Sequence, residues 1–157
     1  AVFPVREKNI PLNIRNTNAP DHPGTLIMER FPDEEISDRF ITGIAGRKNF
    51  SIITVSKSGM SSQMGSLRQM LEVFEKHGVC VEYTPSGIDS VSFVVSADKA
   101  KDRIYSIVGE IRDTLTPDNI QITGGVSVVA AELNIIVGVN NDDFESCVRV
   151  LYNSFVK

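Results

Sequence analysis

The feature that most constrains the fold is the order strand, helix, strand, strand, helix, strand between Ser51 and Thr123. Val91, Phe93 and Val95 alternate with small residues, and this period of two is typical of a half-buried strand. Two longer segments instead repeat apolar residues every three to four positions, as helices do. The strands are predicted at 51–55, 79–83, 91–95 and 120–123, and the helices between 66 and 78 and between 100 and 115.

The ends of the two helices are also marked in the sequence. Ser66 is a predicted N-cap, with Gln69 three residues later in a capping-box pattern, and Gly78 is a predicted left-handed C-cap. Pro117 ends the second helix, because the residue before a proline disfavours helix. The apolar face of the first helix is predicted from Leu67, Met70, Leu71 and Phe74, and that of the second from Ala100, Ile104, Ile107, Val108, Ile111 and Leu115.

This order predicts an α+β fold of the ferredoxin-like βαββαβ class, with an antiparallel sheet and both helices on one face. On either side, the pattern is less complete. Residues 1–40 are rich in proline and turn residues and read as a connector, whereas Ile41–Lys48 predicts a strand without an obvious partner.

The C-terminal part starts the same pattern again and then omits part of it. Strands are predicted at 126–130 and 133–139, and a last helix is predicted after a cap at Asp142, with Phe144, Val148, Leu151 and Phe155 on its buried face. A helix and a strand are absent near Ala131, where they would need roughly 25–35 residues, so either this half is degenerate or a segment has been lost from the sequence.

Composition excludes several functional classes. With 41% hydrophobic and 23% charged residues the chain is expected to be a soluble globular protein, and its net charge of −4 gives no reason to expect nucleic-acid binding. No apolar run reaches the roughly 20 residues of a membrane span, and no leader opens the chain, so we expect a cytoplasmic protein. Cys80 and Cys147 form no CxxC, and His22 and His77 lack ligand spacing, so no metal site is expected.

Three segments together resemble the C-terminal regulatory region of the aspartokinase family. They are IPLNIRNTNAPDHPGTLI (10–27), ITGIAGRK (41–48) and GVCVEYTPSGIDSVSFVV (78–95). The resemblance implies two tandem ACT domains, each a βαββαβ unit that binds a small effector, with the first inserted within the second. It places the end of the kinase domain and a linker at 1–40, the first ACT domain at 49–124, and an incomplete second one at 41–48 plus 125–157.

The resemblance also implies what this chain does in the parent enzyme. The kinase domain, with its ATP and magnesium, is not expected in the chain, which would therefore have no catalytic residue, cofactor or metal of its own. The implied function is feedback inhibition of aspartate phosphorylation by an end-product amino acid, lysine with or without threonine. The implied assembly is a homodimer that pairs through the ACT domains.

By position, the resemblance implies an effector site at the dimer interface, where the first ACT domains of two subunits meet. It is formed by the loop and start of the first helix, by the second strand and by the turn that follows. The residues carried over are Met60, Gln63, Gly65, Ser66, Leu67, Val81, Glu82, Ser86, Gly87, Ile88 and Asp89.

The chemistry of these positions suits an amino acid. A carboxylate is stabilised by the helix N-terminus near Ser66 and Leu67, and the turn from Ser86 to Asp89 offers acceptors to an ammonium. Glu82 is predicted to pair with a lysine side chain, with an attraction of about 4 kcal/mol at 4 Å before desolvation. Alternatively, Glu82 is an ordinary solvated residue on a strand.

Three other functions compete with the amino-acid sensor. A dimerisation module with a degraded site is favoured by the incomplete second half of the chain. An enzyme on this fold would need a nucleophile–base pair, paired carboxylates or metal spacing, none of which the sequence offers. An RNA-binding domain would need exposed aromatic residues beside basic ones on the central strands, and Ser90–Phe93 does not supply them.

Overall fold

The computed structural model describes residues 4, 5, 7–28, 43–131 and 135–155. The chain divides into two compact units, Ala1–Arg39 and Phe40–Lys157. In the first unit, β1 (Leu12–Ile14) and β2 (Thr25–Ile27) form a two-stranded antiparallel sheet. The segment between them contains Pro20 and Pro23, two of the five prolines of the predicted connector.

The second unit contains five strands and four α-helices among its described residues. The strands are β3 (Ile44–Ser56), β4 (Val81–Tyr83), β5 (Ser90–Ser96), β6 (Asn119–Ala131) and β7 (Ile135–Asn140). The helices are α1 (Ser66–Lys76), α2 (Ala97–Ala100), α3 (Ile104–Leu115) and α4 (Phe144–Phe155), with 3-10 turns at Met60–Ser62 and Asn141–Asp143.

The five strands form one antiparallel sheet in the order β4-β5-β3-β6-β7. Strands β3, β4, β5 and β6, connected through helices α1 and α3, have the order of a ferredoxin-like βαββαβ unit. This confirms the fold class predicted from the sequence.

The main core lies between the sheet and helices α1 and α3. Phe74 of α1 packs against Phe93 of β5 with ring centroids 4.8 Å apart, and Ile107 and Ile111 of α3 are fully buried beside them. Burying a side chain of this size contributes roughly 1.5–3 kcal/mol. A smaller cluster of Phe50, Val94, Val126 and Val128 packs on the opposite face of the sheet, because Val94 and Val95 point to opposite faces.

The two central strands are longer than the sequence analysis predicted. The separate strands predicted at 41–48 and 51–55 are one strand, β3, and those predicted at 120–123 and 126–130 are one strand, β6. The pairing of β3 with β6 shifts register between Arg47 and Phe50 and again between Phe50 and Ile52. Asn49, within the first shift, has a φ of 67°. The boundaries proposed for the two ACT domains fall inside these strands, so the two halves share one sheet and the division itself stays a prediction.

Helix α1 differs from its prediction at its start and on its face. Its N-cap is Gly65, with a φ of 83° and no capping side chain, so Ser66 is the first helical residue and not the cap. Met70 and Phe74 are buried as predicted, but Leu67 and Leu71 are 44% and 37% exposed. The apolar stripe of α1 is therefore wider than the surface that the sheet covers.

The C-terminal helix α4 packs against the sheet beside Gly46. A Cβ on Gly46 would lie 2.6 Å from the ring of Phe144, so a larger residue would force that ring to move. Asp142 lies in the 3-10 turn before α4 and is not its cap, and Phe155, predicted to be buried, is exposed. The gap predicted beside Ala131 adjoins residues 132–134, which lie outside the described residues, as do Ile41 and Thr42 of the predicted strand.

No helix within the described ranges is long and apolar enough to cross a membrane. Nor do the described residues bring together three or more histidine, cysteine or acidic side chains that could hold a metal ion.

Candidate functional site: a cavity at the start of helix α1

A cavity of about 270 Å³ lies where helix α1 begins, beside the turn that leads into β5. One wall is the 3-10 turn and the start of α1, and the other is the turn around Gly87 with the first residues of β5. The lining residues are Met60, Ser61, Gln63, Gly65, Ser66, Leu67, Met70, Ser86, Gly87, Ile88, Ser90 and Val91.

The helix wall presents backbone N–H groups. The first hydrogen bond of the helix joins the N–H of Gln69 to the carbonyl of Gly65 at 3.0 Å, so the N–H groups of the first turn have no partner inside the helix. The first turn contains no acidic residue that would neutralise the positive end of the helix dipole. This wall therefore suits an anion such as a carboxylate.

The opposite wall is a tight turn held by its own backbone. The N–H of Gly87 donates to the carbonyl of Ser90 at 2.8 Å, and the N–H of Ser92 donates to the carbonyl of Pro85 at 2.8 Å. On the helix side, the hydroxyl of Ser66 donates to the carbonyl of Gln63 at 2.6 Å. Both walls are thus fixed by hydrogen bonds within the chain.

The chemistry of the cavity is that of a binding site for a small polar molecule. None of the described residues that line it is charged, and they combine hydroxyl and amide groups with Met70, Ile88 and Val91. The described groups with shifted pKa values, Lys76, Glu110 and Asp118, lie outside it. The lining contains no pair of groups arranged for acid–base or nucleophilic catalysis.

The structure brings together most of the residues that the resemblance assigned to the effector site. Eight of the eleven line this one cavity: Met60, Gln63, Gly65, Ser66, Leu67, Ser86, Gly87 and Ile88. Their role in binding stays a prediction, since no ligand tests it.

The other three predicted residues lie elsewhere. Val81 packs against the core beneath the helices, so its neighbour Glu82 points to the opposite face, where its carboxylate binds Arg47. The structure therefore does not place Glu82 where it could meet a ligand in the cavity of its own chain. Asp89 binds the backbone of the loop after β3, with its carboxylate 3.0 Å from the N–H of Gly59.

Four of the lining residues were not predicted from the sequence: Ser61, Met70, Ser90 and Val91. Ser61 and Ser90 adjoin predicted site residues, and this proximity was the only available signal. Met70 and Val91 had been assigned to the core, where they do lie; their side chains form the floor of the cavity as well as part of the core.

Comparison with known proteins gives relatives of one kind. No model of a protein family matches the chain. Aspartokinase 3 of Bacillus subtilis is 29% identical over 132 residues, which are 82% of this chain and 28% of that protein. The crystal structure of aspartate kinase from Clostridium acetobutylicum is 36% identical with a TM-score of 0.86, and the match covers 98% of this chain and 44% of that one. The homologues of this chain are aspartokinases.

Two further aspartokinase structures share the fold. Escherichia coli aspartokinase III, solved in complex with lysine and aspartate, has a TM-score of 0.75 at 16% identity, covering 99% of this chain and 41% of that one. A putative C-terminal regulatory domain of aspartate kinase from Porphyromonas gingivalis has a TM-score of 0.59 at 15% identity, covering 73% of this chain and 97% of that one. These likenesses confirm the ferredoxin-like ACT fold predicted from the sequence, and the homologues confirm the predicted resemblance to aspartokinases.

The chain spans only about a third of the curated aspartokinases that it matches. Chloroplastic aspartokinase 3 of Arabidopsis thaliana is 24% identical over 188 aligned positions, covering 97% of this chain and 33% of that protein. The alignment is longer than the 157 residues of the chain, so the relative has residues without a counterpart here. A missing helix and strand, as the sequence analysis inferred near Ala131, would account for such a difference.

Proposed function

We propose that the chain is the allosteric regulatory region of an aspartokinase, and that an end-product amino acid binds in the cavity at the start of α1. The effector is lysine, with or without threonine, and the site lies at an interface between two copies of the chain. Binding would favour one arrangement of the two copies over another and so inhibit the phosphorylation of aspartate by the kinase domain. The relationship to aspartokinase regulatory domains supports a regulatory role in general.

The observation that carries the proposal is the convergence of eight predicted residues on one cavity, one wall of which is a helix N-terminus without acidic residues. The carboxylate of an amino acid would accept hydrogen bonds from the first turn of α1. Its ammonium group would donate to hydroxyl and carbonyl oxygens of the Ser86–Ile88 turn. Its side chain would lie towards the uncharged part of the lining.

The lining bears on the choice between the two effectors. Glu82 was the reason to prefer lysine, and it lies on the other face of the sheet, bound to Arg47. A neutral side chain with a hydroxyl, as in threonine, could form hydrogen bonds with Gln63 and the serines of the cavity and needs no charged partner. A lysine side chain would need a carboxylate from a second copy of the chain to match its charge.

Titration calorimetry of the chain with lysine and with threonine tests the proposal. At least one of them is expected to bind, and Gln63→Ala is expected to weaken that binding about three- to tenfold, the effect of losing a neutral hydrogen bond. Gln121→Ala, which removes an exposed glutamine from β6, is the matched control and should leave the affinity unchanged. If neither amino acid binds or raises the melting temperature, the chain is not a sensor for them.

A second candidate is a dimerisation module without an effector. It is favoured by the exposed leucines of α1, by Met64, which is 98% exposed, and by Ile88, which lines the cavity and is 79% exposed. Such a module would form a dimer whose melting temperature does not respond to any amino acid. The calorimetric experiment therefore separates the two candidates.

A further inference from the structure

The loop Lys57–Met60 leads from β3 to the cavity, and each of its backbone N–H groups donates a hydrogen bond. The N–H groups of Lys57 and Gly59 donate to the carbonyl and the carboxylate of Asp89, at 2.9 Å and 3.0 Å. Between them, the N–H of Ser58 donates to the carboxylate of Asp118 at 2.7 Å. The next N–H, that of Met60, donates to the carbonyl of Lys57 at 3.1 Å. Four consecutive N–H groups thus have acceptors, three of them on two aspartates.

The two aspartates attach this loop to different parts of the fold. Asp89 lies immediately before β5, whereas Asp118 lies between α3 and β6. Asp118 makes a second hydrogen bond with the hydroxyl of Ser58 at 2.7 Å, and its own N–H donates to the carbonyl of Ser56 at 2.9 Å. The Lys57 ammonium donates to the carbonyl of Leu115 at 2.6 Å, which joins the loop to the end of α3 as well.

The arrangement favours the ionised form of Asp118. Hydrogen bonds from the backbone N–H and the hydroxyl of Ser58 hold the pKa of the Asp118 carboxyl below its usual value, with a smaller contribution from the charge of Lys57. The hydrogen bonds from the loop to Asp118, which we call the brace, therefore have a charged acceptor at neutral pH. Hydrogen bonds to a charged acceptor are stronger than those between neutral groups.

We propose that Asp89 and Asp118 are positioning residues of the effector cavity, which fix the loop Lys57–Met60 without touching the ligand. Neither aspartate lines the cavity, whereas Met60, at the end of the loop, does. Within the loop, Gly59 adopts a φ of 75°, which glycine reaches without strain, so the hydrogen bonds and not the backbone conformation are what hold the loop. A loop ordered before the ligand arrives costs less entropy on binding, so the brace raises affinity. This inference rests on the function proposed above and changes the role predicted for Asp89 from ligand contact to support.

The experiment compares Asp118→Ala with Asp113→Ala in the whole chain, by calorimetry with lysine and with threonine. Asp113 is an exposed aspartate of α3 and serves as the matched control. Asp118→Ala is expected to weaken binding about tenfold, as for loss of hydrogen bonds to a charged group that acts indirectly. Asp118→Asn keeps an acceptor oxygen without the charge and should recover part of the affinity, while Asp113→Ala should bind like the unaltered chain.

A second measurement isolates positioning from general destabilisation. Amide hydrogen exchange without ligand should show protected N–H groups at Ser58 and Gly59, and this protection should be lost in Asp118→Ala. The amides of β5 and of the middle of α3 should exchange at unchanged rates in the same variant. The loss is thus expected to be confined to the loop.

The outcomes separate the inference from the proposed function. Equal affinity of the unaltered chain and Asp118→Ala overturns the inference and leaves the proposed function intact. Equal exchange at Ser58 and Gly59 in the two proteins overturns it as well. If the unaltered chain binds neither lysine nor threonine, the proposed function fails, and the positioning role falls with it.

Discussion

Gly65 is the residue on which the start of helix α1 depends. Its φ of 83° lies in the left-handed region, and an added Cβ would meet no atom within 4 Å. The cost of alanine there is therefore conformational and not steric. We predict that Gly65→Ala lowers the free energy of unfolding by about 1–2 kcal/mol. We also expect weaker amino-acid binding, because the N–H groups of the first turn would shift.

Gly109 provides the matched comparison for Gly65. It lies in helix α3, where an added Cβ also meets no atom within 4 Å, but its backbone is helical. Gly109→Ala is expected to raise the free energy of unfolding by about 0.5–1 kcal/mol, since alanine is the better helix former. Urea denaturation of both variants measures the difference, and equal stability of the two would show that the strain argument is wrong.

At the same scale, local signals in the sequence predicted the helix start and the turn that line the cavity, whereas their assignment to an effector site came from the resemblance to aspartokinases. Gly65, Ser66 and Ser86 stand at a helix start and a turn, and such positions follow from neighbouring residues alone. The pairing of Glu82 with Arg47 joins residues 35 apart, and the brace from Asp118 to Ser58 joins residues 60 apart. Neither could be deduced from spacing, because each depends on the order of the strands in the sheet.

Helices α1 and α3 are joined at one end by a group of charges around Glu110. The Lys76 ammonium and the His77 ring nitrogen Nε2 each lie 3.0 Å from a different oxygen of the Glu110 carboxylate. Arg103 closes the end of α1 by donating to the carbonyl of His77 at 2.9 Å. The hydrogen bond from Lys76, followed by that with His77, lowers the pKa of the Glu110 carboxyl.

This group predicts a dependence of stability on acid. A carboxyl with a lowered pKa in the folded state stabilises the fold fully above its ordinary value of about 4.5 and loses that contribution as the pH falls through the folded pKa. We expect Glu110→Gln to melt at a lower temperature than the unaltered chain at neutral pH. The difference should disappear in acid.

Thermal melting from about pH 6 to about pH 3 checks this expectation. Glu75→Gln on α1 is the control, since Glu75 forms no ion pair among the described residues. A difference between Glu110→Gln and the unaltered chain that persists unchanged at the acidic end would contradict the assignment to Glu110.

The elements themselves were predicted well, but two breaks predicted between strands do not exist in the structure. Asn49 and the glycines at 124 and 125 signalled breaks between strands, yet β3 and β6 continue through them. Asn49 and Gly125 adopt positive φ within paired strands, so the irregularity becomes a bulge or a kink. Whether a turn residue ends a strand or bends it depends on the partner strand, which the local sequence does not specify.

At the scale of the whole molecule, the outer face of α1 is the surface through which we expect two copies of the chain to pair. Leu67 and Leu71 form a surface beside the exposed edge strand β4, and Ile88 extends it across the mouth of the cavity. Exposed apolar surfaces of this kind mark contacts with other proteins. A two-fold pairing of this surface with itself would cover the leucines and close the open side of the cavity.

We therefore predict that the chain is a dimer and that Leu71→Glu dissociates it. By two-fold symmetry the substitution occurs twice in each dimer, and losing two buried leucines costs about 3–6 kcal/mol, so the dissociation constant should rise at least about a hundredfold. Tyr105→Glu makes the same kind of change at an exposed position of α3 and should leave the dimer intact. Sedimentation velocity over a range of concentrations measures both, and a chain that is monomeric throughout, or equal dissociation by both variants, would count against this surface.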